Sequence, residues 1–371
     1  MHRLNELEGA RGLLAVWVVV VHLIPAVGFD AKAFGLLAPL FSDHIRVKIF
    51  CAMSGFVIFI MLERKKEPYL DYITKRFMRL FPAYLVFFLL SVALVDLFIA
   101  ALEGNAFNGQ INLRRLSIFA SSVEHAPGHI LAHATMFHAL VPQSILPQAP
   151  YAFLGQAWNL TYEWVFYLCA PLLFWIASRN RKAALGGAIL YLCIHFLLRS
   201  FVTLPLAAQY VSWFIFGMLS YYVWLRFRTT GLDRPVLWGG IAALALYAVT
   251  REMAIVIWVA LFVAILGARR EGAGKNLICT LLTTRPMLYL GRISYSIYLC
   301  HMIPVYVAMY CLNQWNHSHV AYTIYLVAAT SLGTLGISVL AYRYLEEPAI
   351  RLGQAIVQSQ RFGKLRHRRF G

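Results

Sequence analysis

Two ionisable side chains stand inside long apolar stretches of this sequence, His22 and Glu163. His22 lies ten residues beyond Gly12, about 15 Å along a helix at 1.5 Å per residue. Glu163 lies twelve residues beyond Tyr151, about 18 Å by the same rise. Helices crossing roughly 30 Å of hydrocarbon from opposite faces would carry both groups to a similar middle depth. A bare carboxylate there needs a partner or takes up a proton. A histidine oriented by a carboxylate is a general base, and a buried structural pair is the alternative reading.

A second constellation is basic. Arg76 and Arg79 in the run Thr74-Lys75-Arg76-Phe77-Met78-Arg79 are three apart and share a helix face. Arg11 opens the first apolar stretch on the same side. Guanidinium groups bind phosphate oxygens bidentately, so the set suits a polyphosphate. Ordinary positive charge at a membrane face is the plainer reading. Ser54-Gly55 interrupts the second apolar stretch and permits close helix approach or a bound ligand. Tyr298 and His301, also three apart, share a face in the run Gly291–His301. Glu346 before Pro348 reads as an unremarkable helix-end carboxylate. His125, His129 and His133 recur every four residues, with His138 beyond. That spacing can hold a metal. No HExxH carboxylate accompanies it, so we expect no metal and a histidine-rich amphipathic face at the outer interface.

The elements that position these groups follow from composition. The 371 residues are 60% hydrophobic and 13% charged, with mean hydropathy +0.66. A soluble domain carries about 25% charge. The apolar residues fall in stretches of spanning length, predicting an all-α polytopic membrane protein of about ten transmembrane helices. These lie near 12–28, 46–62, 81–102, 150–178, 183–201, 209–226, 235–250, 252–268, 286–311 and 321–343. Lys and Arg crowd the alternate loops, including Arg64, Arg179, Arg181, Arg226, Arg228, Arg269, Arg270, Lys275 and Arg285. Lys32, Arg46, Lys48, Arg114, Arg115, Arg199 and Arg251 form the sparse set opposite. The rich side is cytoplasmic, and an even span count puts both termini there. The net charge of +17 is thereby a membrane signature, not a nucleic-acid one. Residues 1–350 form one membrane domain. Residues 351–371 form a basic cytoplasmic tail that rests on anionic lipid. The first span reads as retained, not as a cleaved signal peptide. The six cysteines show no CxxC or zinc spacing and read as buried hydrophobes. Segment 103–149 is too short and too apolar for an independent domain.

Six motifs in order resemble acyltransferase family 3, membrane proteins that O-acylate bacterial surface and secreted glycans. Leu7-Glu8-Gly9-Ala10-Arg11-Gly12-Leu13 is similar to the family opening L-D-G-L-R-G-L, with Glu8 for Asp and Ala10 for Leu, and His22 falls at its first-span histidine. Met53-Ser54-Gly55-Phe56 resembles L-S-G-F. Arg76-Phe77-Met78-Arg79-Leu80-Phe81-Pro82 resembles R-x-x-R followed by two apolar residues and Pro. Residues Trp158 to Tyr167 resemble W-x-L-x-x-E-x-x-F-Y, and Gly291 to His301 resemble G-x-I-S-Y-x-I-Y-L-x-H. Tyr342 to Pro348 resembles Y-R-x-x-E-x-P.

The resemblance implies a cytoplasmic acyl-CoA donor, often acetyl-CoA, and a glycan or lipid-linked sugar acceptor, in the bacterial inner membrane. Arg76, Arg79 and Arg11 would hold the CoA phosphates, with Ser54 and Gly55 beside the pantetheine arm. His22 would act as base or acyl carrier with Glu163 orienting it. Trp158, Tyr295, Tyr298 and His301 would line the acceptor side or steady an oxyanion. Some members add a hydrolase-like extracytoplasmic domain. None is recognised here, so the membrane domain is expected to complete the transfer. A flippase for a lipid-linked sugar is the rival reading, and a scaffold or sensor the third. Oligomeric state is unreadable.

Overall fold

The structure, a computed structural model, describes residues 4–41, 44–198, 201–202, 206–230, 241, 244–248, 250–269, 274, 276–315 and 318–370. Helix α1 (Asn5–Ala26) is followed by α2 (His44–Arg64), α3 (Tyr69–Ala93), α4 (Val95–Glu103), α5 (Gln110–Glu124) and α6 (Ala126–Ala134). Short turns lead to α7 (Trp158–Arg179), α8 (Arg181–Leu198), α9 (Leu206–Thr230) and α10 (Met253–Gly267). Then come α11 (Leu277–Leu282), α12 (Arg285–Arg292), α13 (Ser294–Cys300), α14 (Met302–Leu312), α15 (His319–Ala341) and α16 (Glu347–Phe370). No strand occurs among the described residues.

Among the described residues, six helical stretches are long and apolar enough to cross a membrane: Asn5–Ala26, His44–Arg64, Tyr69–Ala93, Gly155–Arg179, Arg181–Leu198 and His319–Gln360. The pair α13–α14, bent by 42°, makes a seventh if counted as one span. This is the build of a multi-pass membrane protein, in which every backbone polar group at membrane depth needs an internal partner.

Several boundaries differ from the sequence expectation. The span expected at 81–102 begins at Tyr69 and breaks at Leu94, so α3 and α4 are separate helices. The span expected at 286–311 is three helices. Pro304 explains the second break. It has no N–H for the Cys300 carbonyl, and its ring crowds that carbonyl. Helix α10 is apolar but has only 15 residues. Most of the span expected at 235–250 lies outside the described residues, as do Arg199, Arg270 and Lys275.

The chain divides into two compact units. The first comprises Met1–Val21, Ala31–Lys66 and Leu168–Arg292. Its centre is the contact of α2 with α9. A Cβ added at Gly55 would collide with the Phe214 carbonyl oxygen, and one at Gly217 with that of Ala52. The two glycines let the backbones meet, as small residues do between membrane helices. Of the two readings of Gly55, the structure describes close helix approach. Phe56, fully buried, then meets Trp224, Trp258 and Phe262 edge-on, with centroids 5.3–6.0 Å apart. Lys48 pairs with Glu252 at 2.7 Å and Arg269 with Glu6 at 2.9 Å.

The second unit comprises His22–Asp30, Glu67–Tyr167 and Ile293–Gly371. In it α14 packs against α4 and α15, and α16 lies along α3. A five-residue π turn, Tyr342–Glu346, joins α15 to α16. Pro348, two residues past that turn, cannot donate to the Tyr344 carbonyl.

If the glycine contact sets the α2–α9 distance, Gly217→Val should destabilise the protein by about 1–3 kcal/mol, the cost of overpacking. Unfolding in detergent reads this. A variant as stable as the parent would show that the helices are free to separate.

Candidate active site

Helix α13 stops at Cys300, and α14 starts at Met302. The break frees carbonyls that water would satisfy elsewhere. Here side chains satisfy them. Nδ1 of His301 lies 2.8 Å from the freed Tyr298 carbonyl, and 3.2 Å from that of Ile297, which keeps the His301 backbone N–H as its helical donor. Gln156 Nε2 donates to the Leu299 carbonyl at 2.7 Å. A ring nitrogen facing carbonyls carries the hydrogen, so the neutral His301 presents Nε2 as an acceptor. His301 has no exposed surface. Its ring stands beside that of His22, with centroids 5.0 Å apart and planes tilted by 57°. Two imidazoles from distant parts of the sequence thus meet at the break.

The walls tie neighbouring elements together. The Tyr298 hydroxyl lies against the Gln156 carbonyl and Asn159 Oδ1. That bridge fixes the start of α7, where Trp158 packs edge-on against Tyr162 at 5.9 Å. The Tyr295 hydroxyl donates to the Leu80 carbonyl of α3 at 2.8 Å. Both tyrosines, expected on the acceptor side, therefore use their hydroxyls on the protein itself.

The charges form a second layer. Glu163, half-buried, accepts from the Tyr167 hydroxyl at 2.5 Å. The carboxylates acting on the Arg79 guanidinium are those of Glu346, first, and Glu163. Glu346 is 1% exposed and accepts from Ser296 Oγ at 2.9 Å. Arg76 lies over the faces of Tyr72 and Tyr167, at 5.9 and 5.6 Å, a cation–π arrangement. Thus α3, α7, α13 and the π turn converge on one charged cluster. Arg11, Ser54 and Gly55 belong to the other unit.

Comparison with known proteins decides what family builds such a site. The model of an acyltransferase domain, that of acyltransferase family 3, matches residues 4–343. The chain belongs to this family. Acyltransferase MdmB of Streptomyces mycarofaciens is 25% identical over 232 residues, 60% of this chain and 53% of its own. The chain therefore spans about half the length of that relative. Exopolysaccharide production protein ExoZ of Rhizobium meliloti (strain 1021) is 26% identical over 321 residues, 83% of this chain and 90% of its own. No solved structure matches.

Among the family motifs, the structure joins the histidine of the first span to the one that closes the Gly291–His301 run. It joins the second arginine of R-x-x-R to the glutamate of the closing motif. That glutamate, Glu346, was read from sequence as unremarkable. A π turn carries an extra residue and is frequent at functional sites, but nothing in the local sequence marks one beyond Pro348. Gln156 also escaped notice, because its partner lies 143 positions away.

The histidines before α7 overturn one expectation. They do not form an amphipathic face at an interface, since His129, His133 and His138 have no exposed surface. The rings of His133 and His138 stack at 3.9 Å, nearly parallel. Both Nδ1 atoms face the Tyr84 hydroxyl, at 2.9 and 3.3 Å. Parallel rings point their lone pairs side by side, so they do not converge on one ion. Among the described residues, no group of three His, Cys, Asp or Glu could hold a metal.

Burial holds His133 well below the usual imidazole range, with His138 adding to the effect, and takes His138 down to about 3. Both rings stay neutral in the fold, so the unfolded chain binds more protons once the pH drops below about 6.5. Stability should be level above that pH and fall below it, by up to about 1.4 kcal/mol per pH unit for each ring. Thermal unfolding across pH 7 to 5 checks this. His138→Asn should flatten the slope, and an unchanged slope would assign the acid sensitivity elsewhere. Separately, Glu346→Gln should cost about 1–3 kcal/mol, since Arg79 loses the first of the two carboxylate charges that act on it. Unaltered stability would show that Glu346 is not the counter-charge of Arg79.

Proposed function

We propose that this protein transfers an acyl group, acetyl in the first instance, from cytoplasmic acyl-CoA to a sugar hydroxyl of an exopolysaccharide, lipopolysaccharide or lipid-linked glycan. The proposal includes a ten-span arrangement in the bacterial inner membrane with both termini cytoplasmic. The observation that carries it is the His22–His301 pair at a helix break, in a chain of an acyltransferase family.

The donor set fits a CoA phosphate group. Arg76 and Arg79 offer two guanidinium forks on one face of α3, the geometry that phosphate oxygens accept. Aromatic faces hold the first fork and carboxylates the second.

At the reacting end His22 takes the proton of the acceptor hydroxyl. The oxygen bonds to the thioester carbon, the carbon–sulfur bond breaks, and the proton leaves with the CoA thiol. In the two-step version His22 bonds to the acyl carbon as the carbon–sulfur bond breaks and the ring N–H proton leaves with the sulfur as the CoA thiol; the sugar oxygen then displaces the ring, and its proton returns to the ring nitrogen. Glu163 steadies positive charge arising at the histidines. The hydrogen of His301 is committed to the Tyr298 carbonyl. It therefore receives a hydrogen bond at Nε2 and cannot donate one to an oxyanion while neutral. Trp158, Tyr295 and Tyr298 shape the acceptor wall.

Purified protein in nanodiscs, given acetyl-CoA labelled in the acetyl group, should release free CoA, and His22→Ala should lose at least 100-fold of that rate, the lower range for a general base. Arg79→Lys should weaken CoA binding about tenfold, since one charge remains but the fork is lost. Neither CoA binding nor release in the parent protein would sink the acyltransferase reading and favour movement of a lipid-linked sugar.

A further inference from the structure

One cation on a helix anchored beside the paired histidines has no part in the site described above. Arg115 lies on α5, in the segment before the short turns that lead to α7. Asn112, Arg115 and Phe119 stand at i, i+3 and i+7, so they share one helix face. Both neighbours of Arg115 on that face are anchored at the histidine corner. Asn112, fully buried, donates from Nδ2 to the Pro25 carbonyl at 2.8 Å, three residues past His22. Phe119 meets the ring of Tyr306 edge-on at 5.5 Å, five residues past His301. Arg115 is held between these two contacts, and its guanidinium charge acts on His301 and on Tyr306.

The remaining contacts of Arg115 leave its charge unneutralised. Nη1 donates to Asn112 Oδ1 at 3.2 Å, a neutral acceptor on its own helix. Among the described residues, no carboxylate pairs with it. The contrast with Arg79 is direct, since that guanidinium has two carboxylates. A half-buried guanidinium with a neutral partner is expensive to hold beside apolar surface. Its remaining N–H donors are a ready fork for a carboxylate or phosphate. A thioester and a neutral sugar hydroxyl bring no such anion, and the donor phosphates are assigned to Arg76 and Arg79.

We propose that Arg115 is an acceptor-side anion site: it binds a carboxylate or phosphate carried by the acceptor glycan, setting which hydroxyl reaches His22. This rests on the acyl-transfer reading and deepens it, since it names an anionic sugar as the substrate class. The guanidinium fork takes two oxygens of either anion. Asn112 presets the fork by occupying one of its N–H groups.

The test uses full-length protein in nanodiscs and three small sugars: glucose, glucuronate and glucose 6-phosphate. Acetyl transfer to each should show a KM for both anionic sugars roughly 10- to 100-fold below that for glucose, the range of one charge-assisted hydrogen bond. Arg115→Gln should bring the ratio near one, and Arg115→Lys should restore part of it. Arg114→Gln serves as the control. That neighbour is exposed and lies over the Tyr151 ring at 5.8 Å, so its loss should leave the ratio intact. Preference for glucuronate alone assigns a carboxylate, and preference for the phosphate alone assigns a phosphorylated acceptor. Equal KM values for all three sugars in the parent, or a ratio retained in Arg115→Gln, overturns the proposal.

A second measurement is independent of catalysis. Glucuronate or glucose 6-phosphate should raise the thermal unfolding temperature of the parent and not of Arg115→Gln. Equal shifts in both proteins, or none in either, would also overturn the site. Absence of CoA release in the parent counts against acyl transfer only, so the two failures are told apart.

Discussion

A helix broken at membrane depth must find donors for the carbonyls it releases, and the second unit is organised around that need. Pro304 removes one N–H and opens the chain at Cys300–His301. The Tyr298 carbonyl goes to the His301 ring and the Leu299 carbonyl to Gln156, while the Ile297 carbonyl keeps the His301 backbone N–H. Satisfying the backbone therefore fixes the tautomer of His301, leaves its Nε2 as an acceptor, and ties the start of α7 to the break. The same settlement places His301 beside His22. One local defect thus generates both the reactive pair and the frame that holds it.

The charged layer follows the same logic. Burying Glu346 is tolerable because Ser296 donates to it and Arg79 supplies the opposite charge. The π turn that holds Glu346 lets α15 continue into α16, which runs back along α3. In this way the helix bearing the R-x-x-R pair is clamped by the closing motif of the chain. Arg76 is held differently, by two aromatic faces.

Much of this was legible in the residues. Hydropathy marks the long helices. Isolated ionisable groups in apolar stretches mark His22 and Glu163, and the order of six motifs marks the family. The rest depends on partners far apart in sequence. Depth alone suggested that His22 meets Glu163, whereas the ring contact the structure describes for His22 is with His301. His129, His133 and His138 read as an amphipathic face because their spacing is helical. His133 and His138 are buried because Tyr84 and Phe88 on another helix stack against them, and His129 because Phe153 meets it edge-on. Pro304 was a readable signal for the bend. The partners of Glu346 and Gln156 were not readable, since no local pattern encodes a contact across more than 40 positions.

The central claim is that His22 and His301 act as one unit, and a double-mutant cycle tests it most directly. CoA release would be compared in the parent, His22→Ala, His301→Asn and the double variant. Asparagine keeps an N–H for the Tyr298 carbonyl and so separates chemistry from the helix break. If the two rings work together, His301→Asn alone should lose at least 100-fold, and the double variant should be no slower than His22→Ala, the non-additivity of groups that act jointly. A His301→Asn protein with near-parental rate, or losses that simply multiply, would contradict the account.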